Sequence, residues 1–245
     1  MFSMDPRHTS RSAALNHRCR VALPALAAIT LVALAGCGVR PPPPKAAVTT
    51  GGPEGGVPFV VDANASELWL FLHADGPLAK VGHTHVITNH DLHGTIWLHP
   101  QPEQSGCEVR IPVNSFVVDD PKERALAGGE YAEPLDEDAR TGTRDHMLGD
   151  KQLNAAQYPV VSLQCRQVNI GAQGSTVLVT VMLRDHSPQL TVPVKWQQQG
   201  NTLQAEGEMT FTQTSMGLEP YSLLFGALRV SDEIRVRYRF VARSS

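Results

Sequence analysis

From Pro58 onward the chain is governed by a repeat of two. Val109, Ile111 and Val113 alternate with Arg110, Pro112 and Asn114, and Val177, Val179, Val181 and Leu183 alternate with Leu178, Thr180 and Met182. Ile234, Val236, Tyr238 and Phe240 alternate with Arg235, Arg237, Arg239 and Val241, and Leu203, Ala205, Gly207, Met209 and Phe211 share one face of a further run. A β-strand sends successive side chains to opposite faces, so each run predicts a strand with one apolar and one wetter side. Turn-forming residues separate the runs at 171–174 and 185–188, and Gly200-Asn201 reads as a two-residue hairpin. About eight or nine strands fit, which predicts an all-β antiparallel barrel or sandwich, closure being one way to remove exposed edges. Residues 121–153 break the rhythm. They are charged, with helix-tolerant stretches at 122–127 and 136–139, and predict a short helical or irregular insertion that caps one end of the barrel.

The amino-terminal part obeys different rules. Arg7, Arg11, Arg18 and Arg20 stand against a single acid, Asp5, and precede an uncharged apolar run from Val21 to Ala35. That run is shorter than the roughly 20 apolar residues a spanning helix needs. With its basic flank it predicts a secretory signal, and Leu34-Ala35-Gly36-Cys37 resembles a bacterial lipobox. Residues 1–36 are therefore expected to be removed and Cys37 to be acylated. A Pro- and Gly-rich tether would then cover 37–57 and a single β domain 58–243. Gly38 after Cys37, where Asp usually marks inner-membrane retention, favours the outer membrane. Removal of the signal takes away four arginines and one aspartate, leaving 17 basic and 23 acidic residues. Phosphate neutralisation needs clustered Lys and Arg, so a nucleic-acid partner is not expected.

Of the four cysteines, Cys19 leaves with the signal and Cys37 carries the lipid, so Cys107 and Cys165 remain in an oxidising compartment. Cys107 shares the face of Val109 and Ile111, and Cys165 that of Val161 and Leu163. If these strands are antiparallel neighbours the two thiols meet as a disulfide; otherwise they are two buried free thiols.

Six of ten histidines lie between residues 73 and 99. Gly82-His83-Thr84-His85 would place two imidazoles on one strand face, a spacing able to chelate Zn or Cu, with His90, His93 or His146 as a third ligand. The competing reading is rim histidines satisfied by hydrogen bonds. Nucleophilic catalysis has no Gly-x-Ser-x-Gly elbow to rest on, and no enzyme activity is expected. Glu130, Glu133, Asp136, Glu137 and Asp138 read as a solvated acidic face. Arg235, Arg237 and Arg239 read as the wet outside of a strand, or as a contact for acidic lipid headgroups. Arg144 and Asp145 are expected to form a local ion pair that pins the insertion.

Several segments together resemble the YceI-like family of exported, lipocalin-like barrels. Val61-Asp62 with Ser66 resembles the opening of its first strand, Gly94-Thr95-Ile96-Trp97-Leu98 its Gly-x-Ile-x-Phe strand, and Ile111-Pro112-Val113-Asn114-Ser115 the segment ending in the family serine. Arg144-Asp145-His146-Met147-Leu148 followed by Tyr158-Pro159-Val160-Val161-Ser162-Leu163 resembles the Arg-Asp-x-His-Leu…Tyr-Pro run, with the histidine one place early. Asp185, where the family hairpin has Gly, and the long acidic insertion depart from the pattern. The resemblance implies a lipocalin-like barrel of about eight strands whose apolar cavity takes up a polyisoprenoid or similar long-chain amphiphile. Val109, Ile111, Val113, Val161, Leu163, Val177, Val179 and Val181 would line it, and the insertion with Arg144, Asp145 and His146 would gate it. The function expected is a lipid-anchored periplasmic binding protein without a cofactor. The alternatives are a metal-binding protein using His83 and His85, and a structural envelope lipoprotein with a filled core.

Overall fold

The computed structural model describes residues 51–172 and 174–244. The expected signal, Cys37 and most of the tether lie outside the described residues. Residues 53–56 form a turn, with the Gly56 N–H donating to the Pro53 carbonyl at 3.1 Å, and lead straight into the first strand.

The alternating runs form strands, and most of these are antiparallel staves of one closed barrel. In chain order they are β1 (Val57–Val61), β2 (Glu67–Leu72), the short β3 (Ala74–Asp75), β4 (His85–Asn89), β5 (His93–Leu98), β6 (Gly106–Pro112) and β7 (Val117–Val118). After the helices α1 (Pro121–Ala127) and α2 (Glu137–Leu148) come β8 (Val160–Gly171), β9 (Gly174–Met182), β10 (Gln189–Gln199) and β11 (Thr202–Thr212). Then follow β12 (Ser222–Leu223), β13 (Leu228–Val230) and β14 (Glu233–Arg243). The order β1-β5-β6-β8-β9-β10-β11-β14 closes when β14 pairs back onto β1. The first part of β14 pairs instead with β2, then β4 and β7. Thus β1/β2, β4/β5 and β6/β7 are three staves each broken once, and eight staves enclose the lumen. A separate small sheet, β12-β13-β3, sits beside the end of β2.

Each break in a stave would strand backbone groups, and buried ones must find partners. At the first break a 3-10 turn at Ala63–Ala65 interrupts the ladder beside Val241. Ser66, itself buried, supplies the missing rung: its hydroxyl accepts from the Val241 N–H at 3.0 Å and donates to the Val241 carbonyl at 3.2 Å. At the others, the buried Asn89 amide donates to Ser115 Oγ at 2.9 Å, and Ser115 donates to the Pro112 carbonyl at 2.7 Å. The serines of the sequence motifs are thus replacements for broken strand pairing.

Cys107 and Cys165 are directly opposed on β6 and β8 and are joined by a disulfide. Closing a loop of this length in the unfolded chain contributes about 4 kcal/mol by chain entropy.

The insertion forms two helices, as its composition predicts, but does more than cap. Asp120 and Asp136 cap α1 and α2, accepting from the Lys122 N–H at 2.9 Å and the Ala139 N–H at 2.7 Å. Between the helices, Tyr131 packs on the outer face of β2, its ring 5.2 Å from that of Phe71, with Trp69 and Val86 in the same cluster. Only the end of α2 and the loop after it cover the barrel mouth, through Met147, Leu148 and Leu153. Ser66→Ala is expected to cost about 1–2 kcal/mol by leaving the Val241 N–H unpaired, read as a lowered urea midpoint with an unchanged slope.

Candidate functional site

The lumen is not filled. A cavity of about 340 Å³ runs through the barrel, bounded almost wholly by aliphatic and aromatic side chains. The inward faces of the alternating runs carry mostly Val, Leu and Ile, too short to meet across an eight-stave barrel. Val109, Ile111, Val161, Leu163, Val177, Val179 and Val181 all stand on its wall. Val113 does not. It falls in the 3-10 turn that breaks the third stave, where the period of two no longer applies, and is buried in the core beside the lumen. Sequence reasoning left out much of the opposite wall, such as Leu68, Leu70 and Leu190, and the cap residues Met147 and Leu153.

The two ends differ. Among the lining residues Trp196 alone is exposed, at the end of the barrel where β10 and β11 turn. The other end is closed by Phe116, Leu183 and Met216, all buried, together with Met147 and Leu153. Polar groups are few: Ser105 at the open end, Gln152 and Gln213 at the capped one. The Gln213 amide is already committed to the Ser231 carbonyl at 2.7 Å.

One wall is incompletely sewn. β10 and β11 pair only from Lys195↔Glu206 to Gln199↔Thr202, whereas β11 and β14 pair along their whole length. Where the first ladder stops, Tyr238 reaches across from β14 and its hydroxyl donates to the Pro193 carbonyl. Gly207 permits this, since a Cβ there would stand 2.5 Å from the Tyr238 hydroxyl. Burial pushes the Tyr238 phenol up to about 12, so it remains a neutral donor.

The cap is held by a buried ionic knot. Asp119, fully buried, accepts from the Val86 N–H at 2.8 Å and from Arg124 Nη1 at 2.7 Å, and lies 2.7 Å from His85 Nδ1. Arg124, also buried, donates to the Thr84 carbonyl at 2.7 Å and the Glu133 carbonyl at 2.8 Å, tying α1 and its following loop to β4. Arg144 does not pair with Asp145; it donates to the Asn114 carbonyl at 2.8 Å and fastens α2 to the break in the third stave. Helix geometry explains the difference, since adjacent residues on a helix do not face one another. The His146 ring packs tilted against that of Tyr221, ring centres 4.4 Å apart. Gln152 donates to the Glu219 carbonyl at 2.7 Å and its own carbonyl accepts from Arg184 at 2.9 Å.

The histidines are distributed among separate partners. His83 lies in the loop before β4, so it does not share a strand face with His85, whose ring is committed to Asp119. His90 lies 3.2 Å from Glu123, His93 pairs with Asp91, and His73 lies 2.8 Å from the Tyr131 hydroxyl. Among the described residues no three His, Cys, Asp or Glu side chains stand together as metal ligands. The arginine stripe of β14 lies over aromatic rings: Arg235 is 4.2 Å from the Phe71 ring centre and Arg237 4.7 Å from that of Trp69. Arg235 and Arg239 also pair with Glu208 and Glu67.

An antiparallel eight-stave barrel closed around an apolar lumen places the domain among the lipocalin-like barrels. The YceI-like domain family matches residues 59–242, most of the chain, and the chain belongs to that family. Among solved structures, BcnA of Burkholderia cenocepacia superposes with a TM-score of 0.53 at 16% identity, over 74% of this chain and 99% of that one. A Campylobacter jejuni YceI protein, crystallised with large solvent channels, gives a TM-score of 0.47 at 11% identity, over 65% of this chain and 84% of its own. The likeness to BcnA is one of fold. No curated protein matches the chain.

Burial acts most strongly on Asp119 and would raise its pKa, but His85, the Val86 N–H and Arg124 together hold the carboxyl below its usual value. A depressed folded pKa gives stability that is present above the unfolded value of about 3.9 and lost as pH falls through the folded one. The urea midpoint is therefore expected to fall on acidification below about pH 5. Asp119→Asn is expected to flatten that fall and, by leaving Arg124 charged and buried, to cost about 3–5 kcal/mol at neutral pH.

Proposed function

We propose that the protein is a lipid-anchored periplasmic binding protein that sequesters or carries an isoprenoid-like or other long-chain amphiphile, without catalysing a reaction on it. The observation that carries this reading is the apolar lumen of about 340 Å³ inside a closed barrel. A volume of this order suits an organic ligand rather than water, which needs two to four polar partners to occupy a cavity. The shape of the lining selects the chemistry. A long apolar chain buries itself against Val, Leu and Ile along the barrel, while the scarce polar groups at the ends leave little to hold a polar body inside.

The surroundings support the same reading. Hydrophobic burial supplies about 25 cal/mol per Å² of apolar surface removed from water, so a chain filling the lumen gains affinity without directional contacts. The end of α2 and the loop carrying Gln152 and Leu153 form the cap through which the ligand is admitted or held. The signal-like amino terminus and Cys37 support export and acylation, with the outer membrane favoured, and the disulfide fits an oxidising compartment. Acylation at Cys37 would keep the carrier beside the bilayers from which such a ligand comes.

Lipid extraction of protein purified from its native envelope, followed by mass spectrometry, tests the proposal. A long-chain species at about one per protein is expected, and its absence overturns the reading. The lumen-facing pair Leu163 and Val181, opposed across β8 and β9, offers the complementary variant. Leu163→Phe with Val181→Phe is expected to keep the far-ultraviolet spectrum and abolish co-purifying lipid, because the added rings occupy space the ligand uses.

A further inference from the structure

The small sheet β12-β13-β3 carries a feature that the barrel does not need. Leu223, Leu224 and Phe225 are all exposed, and Phe225 has 110% of its reference surface in solvent. Its neighbour in space is the loop after β3, where Leu78 and Val81 are exposed as well. The two segments are tied together: the Leu78 N–H donates to the Ala227 carbonyl at 2.8 Å, and β3 pairs with β13. Five large apolar side chains thus share one patch, at the capped end of the barrel. Contiguous exposed apolar surface of this kind marks an interaction site.

The backbone sharpens the point. Leu224 (φ 50°), Phe225 (φ 55°) and Gly226 (φ 89°) are three consecutive residues in the left-handed region. Such a conformation suits Gly, Asn or Asp and is costly for bulky side chains. Nothing in the fold repays the cost, since the Phe225 ring packs on no part of the barrel. The arrangement pushes an aromatic ring outward from a tight convex tip.

We propose that this tip, with Leu78 and Val81, is a wedge that docks the capped end of the barrel on a lipid bilayer. A single fully exposed ring on a convex tip requires a matching socket in a folded partner but none in a fluid bilayer. Lys80 is the cation that residues 76–84 and 221–230 offer to headgroups, since Arg229 is taken up by Asp75 of β3 at 2.7 Å. A lysine beside an apolar insertion adds a modest attraction to anionic headgroups. The reach fits too. Thirteen residues separate Cys37 from Gly51, and these fourteen steps span at most roughly 50 Å, more than the length of a barrel whose longest staves have 12 residues. A domain anchored at Cys37 can therefore lay its capped end on the same membrane.

Docking there also touches the cap. Tyr221, two residues before Leu223, packs against His146 of α2, and Gln152 holds the Glu219 carbonyl. Met216 and Leu218 of the same segment line the lumen. A bilayer that draws the tip into its headgroup layer acts on the one stretch of chain joining tip, cap and cavity. The use of this contact in ligand exchange rests on the carrier reading, and the reach rests on acylation at Cys37; the exposed tip rests on neither.

The test places single tryptophans in the full-length protein bound to vesicles containing brominated chains, with phosphatidylglycerol and phosphatidylcholine in roughly equal parts. The signal of the unaltered protein is subtracted. F225W and V81W are expected to shift to the blue and be quenched by the brominated chains. I170W, on the exposed β8–β9 hairpin at the opposite end, is expected to stay hydrated. Leu224→Asn in the F225W background is expected to reduce quenching about fivefold or more while leaving the melting temperature unchanged or raised, since Asn accepts the left-handed backbone. Hydrated, unquenched emission from F225W overturns the proposal, and so does quenching of I170W in its place. If the indole at 225 is shielded only when a second envelope protein is added, the tip belongs to a protein partner and the proposal is likewise overturned. Lipid extraction and vesicle quenching are independent, so failure of either reading is seen separately.

Discussion

The barrel closes through a serine. β14 is longer than any one partner on its outer side, pairing first with β2 and then, past the break, with β1. At the exchange, Val241 faces a turn instead of a strand, and the Ser66 hydroxyl answers both its N–H and its carbonyl. The Asp62 N–H reaches the same carbonyl at 2.8 Å, and Arg243 pairs with the Asp62 carboxylate. Without this clasp the sheet would carry an open edge at its first stave, and an open sheet has no lumen. The lumen therefore depends on a few hydrogen bonds that never touch it.

A lumen that its own side chains leave open forgoes the side-chain packing that stabilises most cores. The domain compensates on its outside. Trp69 and Phe71 leave the lumen to Leu68 and Leu70 and turn outward, where Tyr131 and Arg237 cover them. Cation–π contacts of this kind contribute about 0.5–2 kcal/mol each, more as water is excluded. The insertion thus has two tasks: one part shields an outer aromatic cluster, and the other closes the end of the cavity. Asp119 and Arg124 link those tasks, holding α1 to the wall so that α2 begins from a fixed point.

Much of this was legible in the sequence because barrels obey a short-range rule. A period of two names the inward face of each strand, and it put Cys107, Cys165 and most of the valines on the lumen wall; that the two cysteines meet came only from the strand order. It failed where the strand stopped. Val113 keeps the alternation in sequence but sits in a 3-10 turn, and His83 precedes its strand by two residues. Contacts between distant segments carried no local signal. Arg144 next to Asp145 suggested a pair, whereas the real partner was the Asn114 carbonyl; Tyr238 finds Pro193 only because Gly207 lies between them. The apolar stretch at 223–225 reads in sequence like any strand fragment. Only its dihedral angles and its exposure distinguish a tip from a core.

The disulfide has a consequence for how the cap can move. Cys107 and Cys165 lie outside the two ends of the insertion, so α1, α2 and the short β7 all belong to one covalent ring. The cap is a loop on a drawstring whose knot is tied within the wall. However far it swings, β6 and β8 cannot unzip past the knot, and the cap must return to the same register. The wall between β6 and β8 is thereby kept shut, in contrast to the loosely sewn seam between β10 and β11.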